Sequence, residues 1–170
     1  MAAVTYINDF HEAELNAERV MREWGFTDAV ATTGGADGGI DVRSSTALAQ
    51  VKWKGGVAGR PEIQRLYGAR GGDHQKQLFF FDASGYSKDA VKYADQVDVR
   101  LFRYNPLGEA EPMNRRASDF LATLAGKGSQ AGEAEPPAIT FSTVVVTLVV
   151  VIGIAIGAWA METAWKAQVS

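Results

Sequence analysis

The sequence predicts an α/β domain followed by one transmembrane helix. Along residues 1–104, helical periodicity alternates with short runs typical of strands. A stretch rich in Gly, Ala, Glu and Pro follows at 105–137, and residues 138–161 contain no charged side chain. We therefore predict a folded domain at 1–104, a flexible linker at 105–137, a transmembrane helix at 138–161 and a short tail at 162–170.

The predicted elements of the domain follow the order αβββαβαβ. The first helix runs from about Asp9 to Trp24, because its apolar residues recur with helical spacing and Gly25 follows as a stop. The strands are predicted at 28–33, 40–44, 48–54, 78–82 and 97–104, the first three as a meander and the fourth fully buried. Two further helices begin at Pro61 and, with a serine cap, at Ser87. A short helix capped by Ser118 is expected within the linker.

The apolar segment 138–161 is long enough to span a bilayer, since its residues cover roughly the 30 Å hydrocarbon core at about 1.5 Å each. A buried core helix is the alternative, but a helix that is apolar on every side would need a large protein around it. Trp159 and Trp165 fall at its far end, where indole rings favour the headgroup region. More cations precede the segment than follow it, which predicts a single-pass protein with its N-terminal domain in the cytoplasm.

The chain has no cysteine and only two histidines. Disulfides, thiolate metal sites and cysteine nucleophiles are therefore excluded. Any bound metal must be held by oxygen atoms, which favours Mg²⁺ or Mn²⁺.

A candidate site is predicted on two adjacent strands. Because side chains alternate along a strand, we expect Ile40 and Val42 on one face and Asp41 on the other. Gln50 and Lys52 project from the polar face of the next strand. If both apolar faces pack on a common core, Asp41, Gln50 and Lys52 must share one surface.

These residue types suit phosphodiester chemistry. Lys52 would orient or deprotonate an attacking water and stabilise charge growing on the phosphate. Glu14 on the first helix could supply a further carboxylate, with Glu18 one turn later as its competitor. The predicted metal ligands are oxygen atoms from three residues, Asp41, Gln50 and, through its backbone carbonyl, Val51.

The pattern resembles the Mrr-like type IV restriction endonucleases of the PD-(D/E)xK nuclease superfamily. That family shows an acidic residue on a helix before a Gly-aromatic pair, then Gly-x-Asp-Gly-Gly-x-Asp, then Gln-x-Lys. The matches here are Glu14 before Gly25-Phe26, residues 35–41, and residues 50–52. The resemblance covers about residues 5–104, although the proline that the wider superfamily places before its aspartate is absent.

The resemblance implies a restriction-endonuclease-like αβββαβ core with a mixed central sheet and Mg²⁺-dependent cleavage of DNA. It makes Asp41, Gln50 and Lys52 catalytic, with Glu14 in support. Gln50 stands where the wider superfamily has glutamate, which removes one negative charge from the metal site.

Cations around the site form a locally basic region suited to phosphate neutralisation without sequence readout. Three of them, Arg43, Lys54 and Arg60, are predicted DNA contacts. Solvated surface side chains are the alternative interpretation.

We therefore expect a membrane-tethered Mg²⁺-dependent endodeoxyribonuclease, and the resemblance suggests defence against foreign or modified DNA. Two other functions stay open: a catalytically silent DNA-binding module at the membrane, and a membrane adaptor that binds a protein partner. A homodimer is also considered.

Overall fold

The computed structural model describes residues 6–32 and 39–131. These residues fall almost entirely within one compact unit, Met1–Ser129. The helices are α1 (Phe10–Glu23), α2 (Arg60–Ala69), α3 (Lys88–Gln96) and α4 (Arg115–Ala131). The strands are β1 (Val30–Ala31), β2 (Val42–Arg43), β3 (Ala47–Lys52), β4 (Gln77–Asp82), β5 (Val99–Tyr104) and β6 (Ala110–Pro112).

The six strands form one mixed sheet in the order β1-β2-β3-β4-β5-β6. The first three strands are an antiparallel meander, as predicted, while β3, β4 and β5 are parallel and β6 is antiparallel to β5. Helices α2 and α3 provide the two connections that parallel neighbours require. The predicted order αβββαβαβ and the mixed sheet are thus confirmed, and β6 and α4 are additional elements.

A core lies on each face of the sheet. The α1 and α4 helices cover one face, where they pack on Phe79 and Phe81, and α2 and α3 cover the other, where Phe80 is buried. Strand β4 therefore has no polar face, and this is the reason for its continuous apolar run.

Side chains cap the starts of α1 and α3, and of these two caps the serine cap of α3 was predicted. The Asp9 carboxylate accepts a hydrogen bond from the Glu12 N–H at 2.9 Å, and the Ser87 hydroxyl accepts one from the Ala90 N–H at 3.2 Å. Each cap satisfies an N–H group that the first helical turn leaves unpaired.

The prediction of a flexible linker does not hold for residues 110–131, which form β6 and α4. The buried Asn114 side chain fixes the start of α4, because its Oδ1 accepts hydrogen bonds from the Leu101 and Ala117 N–H groups. Its Nδ2 donates to the Val99 carbonyl. The helix expected near Ser118 thus exists, but it begins earlier and ends later than predicted.

The apolar segment 138–161 lies outside the described residues, so the transmembrane helix stays a prediction. Among the helices that the structure does describe, none has the length and apolar character required to cross a bilayer.

Candidate active site

The Asp41 carboxylate lies at the point where the pairing between β2 and β3 ends. The last paired residue of β2 is Val42, opposite Ala49. Beyond it, Oδ2 of Asp41 accepts a hydrogen bond from the Val51 N–H at 2.7 Å. The carboxylate therefore takes the place of a strand carbonyl and lies against the edge of β3. Because the N–H and C=O groups of one strand residue face the same neighbour, the Val51 carbonyl lies on this side too.

This position corrects the alternation predicted from sequence. Val42 is buried in the core under α1, whereas Ile40 is buried in the core under α2 and α3. The two residues thus lie on opposite faces of the sheet rather than on one. The regular strand begins only at Val42, and Gly39 has φ +82°, so the chain turns just before Asp41.

Glu14 on α1 is the carboxylate that accompanies Asp41. The two acidic groups interact electrostatically, and the buried Oε2 of Glu14 has no hydrogen-bond partner among the described residues. Nδ1 of His11 is 3.9 Å from this oxygen, beyond hydrogen-bonding distance. Glu18, the alternative candidate, has a different partner, since its Oε2 accepts a hydrogen bond from the Ala31 N–H at 2.8 Å.

Burial raises the pKa of both carboxyl groups. For Glu14, removal from water is the larger cause and the charge of Asp41 adds to it, while His11 opposes the rise. Burial raises the pKa of Asp41, and the hydrogen bond from the Val51 N–H partly opposes this. A site that disfavours negative charge in this way is expected to gain from a bound cation.

Gln50 lies beside the turn that leads into Asp41. A Cβ atom added to Gly39 would come within 3.0 Å of Gln50 Nε2, so the amide packs directly on the glycine. Oε1 of Gln50 is buried, and no residue within 6–32 or 39–131 forms a hydrogen bond with it. Buried polar atoms are rarely left unpaired, and such an oxygen is available to a ligand.

The oxygen atoms here fit a hard divalent cation. They comprise the carboxylates of Asp41 and Glu14, the buried amide oxygen of Gln50 and the strand carbonyl of Val51. Within residues 6–32 and 39–131, no cluster of three or more acidic or histidine side chains could hold a metal. Among the described residues, the amide oxygen of Gln50 and the backbone carbonyl of Val51 would therefore be needed beside the two carboxylates.

The Lys52 ammonium group has other charge partners. Its Nζ donates to the Gly56 carbonyl at 2.9 Å and lies 3.8 Å from Asp82 Oδ2 and 4.0 Å from Glu62 Oε1. Sequence reasoning missed both acidic partners. Asp82 ends the buried Phe run of β4, and the parallel register places it directly opposite Lys52. The sequence feature that could have indicated Asp82 is an acidic residue at the carboxyl end of a buried strand.

The predicted DNA contacts lie on the surface near β3 and α2. Lys54 is exposed, with its Nζ 5.6 Å from the Trp53 ring centre, and the exposed Arg60 guanidinium is 4.8 Å from that of Tyr93. Arg43 in β2 is half-buried. Cations held over aromatic rings lose little further freedom on meeting a phosphate.

Comparison with known proteins identifies the class to which this fold and site belong. A family model described as restriction endonuclease matches residues 8–109, which is more than half of the chain. The chain belongs to the Mrr_cat restriction endonuclease family, whose domains generally use divalent metal ions.

Among solved structures, the chain is similar to that of MspJI restriction endonuclease in complex with a 27-mer oligonucleotide. The identity is 20% and the TM-score is 0.43, over 71% of this chain and 32% of that chain. This chain thus spans about a third of that chain's length. No curated protein sequence matches it.

Proposed function

We propose that this chain is a Mg²⁺- or Mn²⁺-dependent endodeoxyribonuclease, anchored in the membrane through residues 138–161 and acting in defence against foreign or modified DNA. The observation that carries the proposal is the group of buried oxygen atoms around Asp41, Glu14 and Gln50, within the region that the restriction endonuclease family covers. Defence is suggested by the family alone, and membrane anchoring by the apolar segment alone.

Each residue has a distinct task in this proposal. Asp41, Glu14, Gln50 and the Val51 carbonyl would hold the cation, which when bound supplies a Lewis acid and neutralises charge at the scissile phosphate. The Lys52 ammonium would orient the attacking water and stabilise negative charge on the phosphate. Since Gln50 is uncharged, the protein itself contributes two negative charges from these side chains.

The cations at the surface would hold the DNA backbone. Lys54 and Arg60 are exposed, and Arg43 lies in the strand next to β3. Contacts of this kind neutralise phosphates and do not distinguish sequences. A substitution of Lys54 or Arg60 by Glu is expected to weaken DNA binding more strongly at low salt than at high salt.

The decisive experiment incubates the purified full chain with supercoiled plasmid, with and without Mg²⁺. Cleavage that requires the cation and falls by about 100-fold or more in Lys52→Ala, with loss in Asp41→Asn, supports the proposal. Asp119→Asn is the matched control, because Asp119 is exposed on α4.

Two results would favour the other functions. Salt-sensitive DNA binding without cleavage by the wild-type chain would indicate a silent binding module. A wild-type chain that neither binds nor cuts DNA, and whose function is left intact by Arg60→Glu and Lys54→Glu, would indicate a protein adaptor.

A further inference from the structure

Three separate segments of the chain surround the Lys52 ammonium group. The loop after β3 supplies the Gly56 carbonyl at 2.9 Å, the end of β4 supplies Asp82 at 3.8 Å, and α2 supplies Glu62 at 4.0 Å. The Lys52 side chain is 21% exposed, so it reaches the surface while its end stays among these acceptors. Its position therefore depends on contacts outside its own strand.

The acidic partners of Lys52 are themselves held in place. Oδ1 of Asp82 accepts a hydrogen bond from the Ser84 N–H at 2.6 Å. Oε2 of Glu62 accepts one from the Gly59 N–H at 3.1 Å, which leaves Oε1 directed at Lys52. Side chains locked by a second contact can position a functional group, whereas free ones cannot.

Asp82 is unusual because it is a buried carboxylate that is only partly satisfied. Its side chain is 1% exposed, and Oδ2 has no hydrogen-bond partner in the part of the chain that the structure describes. The hydroxyls of Tyr86 and Tyr104, which lie nearby, donate to backbone carbonyls instead. Burying a carboxylate is costly, and the Ser84 turn alone would be served equally well by asparagine.

We infer that Asp82 is a positioning residue for Lys52. Its Oδ2 keeps the Lys52 ammonium group at the place where that group contacts the substrate phosphate. The inference rests on the proposed nuclease function and adds a residue to it. Asp82 touches neither DNA nor metal in this scheme and acts only through Lys52. A purely structural role would instead make Asp82 a contributor to stability with no separate effect on turnover.

The test on activity is Asp82→Asn in the full chain, assayed for kcat and KM with plasmid DNA and Mg²⁺. Asparagine keeps the acceptor for the Ser84 N–H and removes the charge that faces Lys52. We expect kcat to fall by about tenfold, as is usual for partners that orient a functional group, with KM unchanged. Asp119→Asn serves as the control, and an unchanged kcat in Asp82→Asn would overturn the inference.

A second test does not require activity. Lys52→Met leaves Asp82 as a buried charge without its cation, so the unfolding temperature should fall. Adding Asp82→Asn to Lys52→Met removes that charge and should recover most of the loss, while Asp82→Asn alone should have little effect. Additive losses in the double variant would show that the two groups are not coupled and would overturn the inference.

The two tests separate failure of the inference from failure of the proposed function. If the wild-type chain cuts no DNA under any condition, the nuclease proposal fails, and the positioning role fails with it even where the unfolding temperatures show coupling. If the wild-type chain cuts and Asp82→Asn cuts equally well, only the positioning role is lost.

Discussion

The Asp41 carboxylate makes a structural hydrogen bond and has a proposed chemical role, and substitutions can separate the two. It accepts the Val51 N–H that β2 leaves unpaired, and it carries a charge beside Glu14. Asp41→Asn keeps an acceptor for that N–H, whereas Asp41→Ala leaves the N–H unpaired at a cost of about 1–3 kcal/mol.

We therefore expect both variants to lose cleavage, and only Asp41→Ala to lose stability as well. Urea unfolding of the metal-free chains measures the difference, alongside the plasmid assay. Equal stability of the alanine and asparagine variants would show that the Val51 hydrogen bond contributes nothing. Retained cleavage in Asp41→Asn would remove Asp41 from the site.

The raised pKa values of Glu14 and Asp41 predict the direction of a pH effect. Cation binding needs both groups deprotonated, so affinity for Mg²⁺ should fall as pH falls through these raised pKa values. The loss should begin at higher pH than for ordinary carboxylates. Calorimetric titration with Mg²⁺ from about pH 8 to about pH 5 measures it. An affinity that stays constant over this range would contradict the assignment.

The raised pKa values of Glu14 and Asp41 have the opposite effect on folding stability: it should fall, rather than rise, as pH increases. In the metal-free chain, a raised folded-state pKa favours the protonated group, so the contribution to stability is present below the unfolded-state pKa. It is lost as pH rises through the folded-state pKa. Glu14→Gln should therefore gain stability relative to the wild type as pH rises, as measured by urea unfolding without metal.

At the level of single residues, the sequence predicts which residue types lie near the turn at 39–41 better than it predicts their geometry. Asp41, Gln50 and Glu14 were predicted, and the structure brings the oxygen atoms of Glu14 and Gln50 close to the turn at 39–41. The alternation rule failed at Ile40 because it assumes an extended strand, and the chain turns at Gly39. The partners of Lys52 were missed because the register between parallel strands is set by tertiary packing, which no local pattern reveals.

At the scale of elements, local signals predicted the helices and strands whose ends carry caps or turns. The α4 helix was only partly predicted, because its surroundings are rich in Gly, Ala and Glu and resemble a linker. Tertiary contacts of Phe120 attach α4 to the domain. Its ring centre lies 5.3 Å from that of Trp24 and 5.2 Å from that of Phe79. The α4 helix is therefore an integral layer of the domain, although the family match ends at residue 109.

This role predicts that Phe120→Ala destabilises the whole domain. Removing an aromatic ring from a core contact costs about 3–5 kcal/mol when the ring is fully buried, and the half-buried Phe120 should approach the lower value. The matched control is Thr123→Ala, an exposed position on the same helix whose hydroxyl donates to the Asp119 carbonyl. Urea unfolding followed by tryptophan fluorescence measures both. Equal stability of the two variants would mean that α4 is dispensable to the fold.

At the scale of the whole molecule, the chain divides into a compact unit at Met1–Ser129 and a second unit at Gln130–Ser170. The family match lies wholly within the first unit, and the apolar segment lies wholly within the second. The proposed cleavage and the predicted membrane attachment thus belong to different parts of the chain. The predicted cytoplasmic orientation and the homodimer stay predictions.

This division predicts that membrane attachment can be abolished without loss of cleavage. Val151→Arg places a charge near the middle of 138–161, where it costs about 2.5–3.5 kcal/mol on insertion scales. We expect the wild-type chain to stay with the membrane after alkaline carbonate extraction. A substantial fraction of the Val151→Arg variant should instead appear in the soluble fraction. This variant should still cleave plasmid. Ala131→Arg, which lies before the segment, is the control and should stay with the membrane. A wild-type chain found wholly in the soluble fraction would exclude the anchor and leave the nuclease proposal unaffected, because the two rest on separate parts of the sequence.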